Sequence, residues 1–362
     1  MKKLLLATAV AALSVSAANA APTVYGKAFL ALDYVNAEFD SRIPGGDIDE
    51  DTLEINSHAS RIGFKGSEAM TANTDVIYQL EYGTSVDGDN ATFTNRDTYL
   101  GINNKQFGEF RVGKNQSTLD RVNNVITADS GYWDNLGNNE MEDDVVEALN
   151  MADSSRINSS IIWTAPKYNN LPLELSAMYS SDDDNFNNDA GFGVAMMFDQ
   201  GTGFTAGLAY DKDQNISGDI IRGTATVDLG KYIAAPVTLG ALYQVADYDY
   251  SNRDTKKEKG LIVSAAMGLS NFARPATVYA QYNKTDNLNG WNDANSDQIV
   301  VGGKYFFKDN IIMHAYAGMN NADNVRSVNI DGDNVVYGAP GDAEVFVVGS
   351  GLEYKFNLTI RI

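Results

Sequence analysis

The sequence contains no cysteine, so neither a disulfide framework nor a thiolate metal site can hold the chain together. Cations are scarce and unclustered, with 27 lysines and arginines against 48 acids and a net charge of -21, which removes the electrostatic basis for nucleic-acid binding. Beyond the first twenty residues no segment approaches the ~18 uncharged apolar residues of a membrane-spanning helix, so a helical membrane protein is excluded. The 2 histidines, His58 and His314, adjoin no nucleophile motif, and no catalytic residue is expected. Asp211-Lys212-Asp213-Gln214-Asn215 begins like a calcium loop, yet Ile216 stands where the turn needs glycine and Arg222 where the closing glutamate belongs. No metal or cofactor is therefore expected.

What the chain does have starts with a leader. Lys2 and Lys3, an apolar run from Leu4 to Ala18, and Ala18-Asn19-Ala20 form a signal peptide over residues 1–20, with cleavage expected before Ala21. Loss of two lysines and no acids takes the charge from -21 to -23. The remainder is rich in tyrosine (19), phenylalanine (15) and glycine (32) with only 7 prolines, a mixture suited to β structure with tight turns.

Hydrophobicity alternates with period two almost throughout, in about sixteen segments. Val24 to Tyr34 places Val, Gly, Ala, Leu, Leu and Tyr on one face and Lys27 and Asp33 on the other. Asp75 to Tyr82 sets Val76, Tyr78, Leu80 and Tyr82 against Gln79 and Glu81, and 52–65 is read as one strand. Many segments exceed the usual soluble strand and match a tilted bilayer crossing. Connections alternate in length. Tight turns at 104–106, 200–203 and 308–310 alternate with long polar segments at 36–51, 182–189, 251–257, 285–295 and 322–342. That segregation predicts an all-β transmembrane antiparallel barrel, closed so that no backbone group is left unpaired in hydrocarbon. Tyr25, Tyr34, Tyr82, Tyr210, Tyr232, Tyr248 and Phe356 are expected at the membrane interfaces. Residues 115–155 carry no strand pattern but contain apolar bulk, including Trp133 and Leu149, and are read as a loop folded into the lumen, with a short helical turn over 140–149.

Four segments then carry a resemblance. "VYGKAFLALDY", "SRIGFKGSE", "NRDTYLGI" and "GEFRVGKNQS", in this order and followed by the long loop, resemble the general trimeric porins of the Gram-negative outer membrane. The resemblance implies an outer-membrane barrel of about sixteen strands passing small hydrophilic solutes and ions through a charged constriction, as a homotrimer set in outer-membrane lipid and lipopolysaccharide. It also implies a ladder of cations on the pore wall, carried here by Lys27, Arg61, Arg96, Arg111 and Arg156. For Lys27 and Arg61 the parity of the strands agrees, because both lie opposite the apolar face. The parity of Arg96 does not decide its side. Acids of the long loop should face the ladder. The loop has no "PEFGG" segment, and Asp129, Asp134, Glu140, Glu142, Asp143 and Asp144 are candidates without rank. A substrate-selective porin, and more remotely an adhesin-like or secreted β protein, are the alternatives. "GLEYKF" at 351–356 resembles the usual end of such barrels, and residues 357–362 either extend the last strand or hang as a tail.

Overall fold

A computed structural model describes residues 22–44, 46–88, 93–128, 131–133, 149–166, 171–181, 190–250, 254–331 and 334–359. Seventeen antiparallel segments form one sheet: β1 (Thr23–Ser41), β2 (Ile48–Ser57), β3 (Arg61–Thr71), β4 (Thr74–Gly83), β5 (Thr94–Asn104), β6 (Gly108–Gln116), β7 (Arg156–Thr164), β8 (Leu173–Ser180), β9 (Gly191–Asp199), β10 (Phe204–Lys212), β11 (Gly218–Asp228), β12 (Val237–Tyr248), β13 (Glu258–Leu269), β14 (Ala276–Asp286), β15 (Asn295–Lys308), β16 (Ile311–Asp331) and β17 (Asn334–Thr359). Both β2 and β3 pair with β1, so they are halves of one strand, and the barrel has sixteen. It closes where β1 pairs with β17 from Thr23↔Thr359 to Ser41↔Gly341. Closure leaves no edge exposed to hydrocarbon.

The period of two sorts side chains as the sequence predicts. On β1 Leu30, Leu32 and Tyr34 are exposed on the outer face, while Lys27, Phe29, Ala31, Asp33 and Val35 are buried on the inner one. The strand between His58 and Ser60 departs from this regularity. Leu30 pairs with Ser57 and Lys27 with Arg61, which leaves three residues opposite two. Ala59 absorbs the extra residue with a left-handed φ of 46°. Such a bulge reverses parity. Even-numbered His58 and odd-numbered Arg61 consequently face the same lumen, His58 with Nε2 2.9 Å from Asp33 Oδ2.

Some expected boundaries move. Most of 36–51 and 322–342 is strand rather than loop, because β1, β16 and β17 run on well past their apolar cores. Asn115 and Gln116 belong to β6 rather than to the long loop. Residues Asn357 to Thr359 are strand, paired with Tyr25, Val24 and Thr23. Tyr25 and Tyr248 are not interfacial: their hydroxyls donate inward to Glu81 Oε2 at 2.9 Å and Glu258 Oε2 at 3.0 Å.

The described parts of the long loop lie inside the barrel. Leu119 and Val122, on a 3-10 turn (Thr118–Val122), pack with Ala195, Ala209 and Ile220, and Val125 packs with Met151, Leu242 and Ile262. Trp133 is fully buried against the inner faces of β16 and β17, its Nε1 donating to the Val347 carbonyl at 3.3 Å. Gly318 makes room for it, since a Cβ there would stand 2.5 Å from the indole. The inward apolar residues of β11–β15 are covered by this loop rather than by water, and burying them is what holds it in place. The expected helical turn over 140–149 falls largely outside the described residues.

Candidate functional site

The described parts of the loop pack against the side of the lumen lined by β9–β17, and β1 with β3–β7 form the rest of the wall. Cations concentrate on this second part. Lys27 of β1 stands directly opposite Arg61 of β3 on one side and Lys355 of β17 on the other. Like charges so placed repel unless acids intervene. Two wall acids do so. Glu353 lies 2.6 Å from Lys355 Nζ, and Glu81 of β4 lies 3.8 Å from Arg61 Nε and 2.8 Å from Arg96 Nε. Glu81 is only 6 % exposed and accepts from Tyr25 as well, so its two oxygens are shared among three donors.

Arg96 reaches Glu81 through a second irregularity. Between β4 and β5 the register jumps from Leu80↔Thr98 to Tyr82↔Asn95, leaving Arg96 and Asp97 together opposite Glu81. Both then project inward, Arg96 to Glu81 and Asp97 to Arg156, whose Nε lies 3.0 Å from Asp97 Oδ1. Arg111 sits apart, nearer the short turns, paired with Glu109 at 2.5 Å and placed 4.6 Å from the Tyr99 ring centroid. The five expected cations thus share the inner wall. Arg61, Arg96 and Arg156 form a strip held by Glu81 and Asp97, Lys27 extends the strip beside Arg61, and Arg111 flanks it on the turn side.

On the loop side, the candidates Asp129, Asp134, Glu140, Glu142, Asp143 and Asp144 lie outside the described residues. The described loop acids are Asp120 and Asp153, which the sequence reading did not single out. Burial and the nearby Asp153 carboxylate push Asp120 up to about 6, against the opposing pull of Arg121 and Arg156. Asp153 pairs at 3.0 Å with Arg222, a fully buried arginine of β11. Arg222 also donates to Gln244 Oε1 at 2.7 Å, to Asn123 Oδ1 and to the Ala152 carbonyl at 3.2 Å, gripping the outgoing and returning limbs of the loop at once. Glu81, Asp97 and Lys355 were visible in the sequence only as polar positions. Their inward parity was legible for Glu81, but their partners depend on register.

A closed sixteen-strand barrel with an inward loop and a cation-lined wall has a counterpart among known families. The sequence model described as Gram-negative porin matches residues 7–325. The chain belongs to the Gram-negative porin family. The porin is similar to the major outer membrane protein P.IB of Neisseria gonorrhoeae, at 27% identity over 85% of this chain and 90% of the relative. A second protein of that name from Neisseria gonorrhoeae is 30% identical over 58% of this chain and 56% of its own length. Among solved structures, the anion-selective porin from Comamonas acidovorans superposes with a TM-score of 0.69, at 16% identity, over 93% of this chain and 100% of that one. The trimer form of OmpT from Vibrio cholerae does so with a TM-score of 0.60, at 16% identity, over 93% and 99%. At those identities the structural likeness concerns the fold. Family and barrel together make this an outer-membrane channel for passive diffusion rather than an enzyme.

Proposed function

We propose that the channel narrows between the loop and the strip formed by Lys27, Arg61, Arg96 and Arg156, with Arg111 on its turn side, and that this strip governs which ions and small hydrophilic solutes pass. The observation that carries the reading is the clustering of these cations on β1, β3 and β5–β7, where among the described residues the loop packs no apolar side chain against the inner wall. An arginine facing lipid would cost roughly 2–4 kcal/mol at mid-depth, and a water-filled lumen removes that cost. Charge on a neck wall biases the ions that enter it, and opposed charges set up a transverse field that orients polar solutes. The cations favour anions, and Glu81, Asp97 and Asp120 temper that preference.

The working unit on this reading is a homotrimer in outer-membrane lipid and lipopolysaccharide, exported by cleavage of residues 1–20. The small outward residue Ala28 of β1 supports close subunit packing. Refolded protein should insert into planar bilayers in triplets of equal conductance steps and let small sugars swell liposomes. Folded barrels that give no steps would overturn the channel reading, and single, unlinked steps would overturn the trimer.

A further inference from the structure

A second cluster of cations lies off the strip, toward the short turns. There the lumen holds a cavity of about 380 Å³ whose walls include Asn103, Lys105, Glu109, Arg111, Arg121 and Thr164. The cations come from three separate elements: Lys105 from the turn after β5, Arg111 from β6, and Arg121 from the 3-10 turn of the inward loop. Glu109 is committed to Arg111, and the Lys105 ammonium donates to the Ala72 carbonyl at 2.9 Å. Arg121 differs from both. Among the described residues no carboxylate lies within ion-pair distance of its guanidinium, and its Nε is buried without a hydrogen-bond partner. A buried guanidinium N–H left unmatched is costly, and the group that best matches it is an oxyanion.

We propose that this cavity is a binding site for a small, doubly charged oxyanion of the phosphate class, held between the guanidinium groups of Arg121 and Arg111. The planar fork of each guanidinium suits two oxygens of a tetrahedral anion. Arg111 is steadied for this by the face of Tyr99 beneath it. The cavity has one acid against three cations, so it retains positive charge after Glu109 is counted. A solute that has passed the strip would meet this site next, which makes it a transient stop on the way through rather than part of the neck. The inference rests on the channel reading, since it needs the lumen to be reached by solute.

Inorganic phosphate added to single channels of the full-length protein, in a background of chloride, tests the site. Parent channels should show concentration-dependent reduction of current. Arg121→Gln should raise the half-blocking concentration by at least about tenfold, the effect of losing one charge-assisted contact. Lys284→Gln should keep the block, because that lysine pairs with Asp286 on β14 and belongs neither to the strip nor to the cavity. Arg111→Gln serves as the second variant if Arg121→Gln fails to migrate as a folded barrel. A parent indifferent to phosphate, an Arg121→Gln channel blocked as strongly as the parent, or loss of the block in Lys284→Gln would each overturn the assignment. Absence of any conductance steps would instead strike at the channel reading itself.

Discussion

Arg96 and Asp97 are neighbours in sequence, yet both side chains enter the lumen, Arg96 to pair with Glu81 at 2.8 Å and Asp97 to pair with Arg156 at 3.0 Å. In an unbroken strand one of them would face lipid. The register jump between β4 and β5 allows both, and it links cations on β3, β5 and β7 through acids on β4 and β5. The wall is therefore an alternating charged strip rather than a row of bare cations. Its net sign depends on the acids as much as on the arginines.

Removing the shared acid is the first check. Glu81→Gln keeps the size of the side chain and an oxygen for Tyr25, but leaves Arg61 and Arg96 without their common counter-charge. The reversal potential in a salt gradient should move toward greater anion preference. A move toward cations, or none, would mean that Glu81 is not in contact with the conducting path.

Proton concentration should act through Asp120. Its carboxyl is raised to about 6 by burial and by Asp153, so the folded state favours the neutral form relative to the unfolded chain. The stabilisation this gives is present at low pH and is lost as pH rises through about 6. For transport the consequence is a loss of one negative charge beside Arg121, Arg156 and Asp97 between pH 7 and pH 5. Anion preference should rise over that interval in the parent, and Asp120→Asn should show the low-pH value throughout. Equal pH dependence in the two proteins would remove Asp120 from the account.

The grip of Arg222 on the loop predicts a different signature. Arg222→Ala removes the counter-charge of Asp153 and the bonds that Arg222 gives to Asn123 Oδ1 and the Ala152 carbonyl, on both limbs of the loop, leaving the amide bonds of Gln244 and Asn123 in place. Breaking a largely buried pair from one side costs about 3 kcal/mol, more than a docked segment can readily lose. Single-channel records should become noisy, with frequent transitions between conductance levels, while the barrel still resists unheated detergent. Quiet records at parental conductance would show that the loop is held by its apolar contacts alone.

How much of this was written in the sequence follows from which forces act locally. The strands were legible because lipid outside and water inside impose a period of two, seen most cleanly from Val24 to Tyr34. The strand extensions of β1, β16 and β17 were not, because the alternation of apolar and polar residues fades in their sequences. Neither bulge was legible. Each is a single extra residue that switches parity, so parity places His58 wrongly on the face opposite Arg61 and leaves Arg96 without a side. The packing of the loop did leave a trace. Ile220-Ile221 and Leu261-Ile262-Val263 are apolar on both faces, and the inward members Ile220 and Ile262 are the ones the loop covers. Which acid meets which arginine is a matter of register across three strands, and no local pattern encodes it.

The most direct test of the charged strip as the selectivity element is the reversal potential of Arg61→Ser against the parent in the same salt gradient. Arg61 is partly exposed to the lumen, faces Lys27 across the β1–β3 pair, and shares Glu81 with Arg96. Its loss should shift the potential toward cation preference, opposite in sign to Glu81→Gln. An Arg61→Ser channel with the parental reversal potential would contradict the claim that this wall lines the neck.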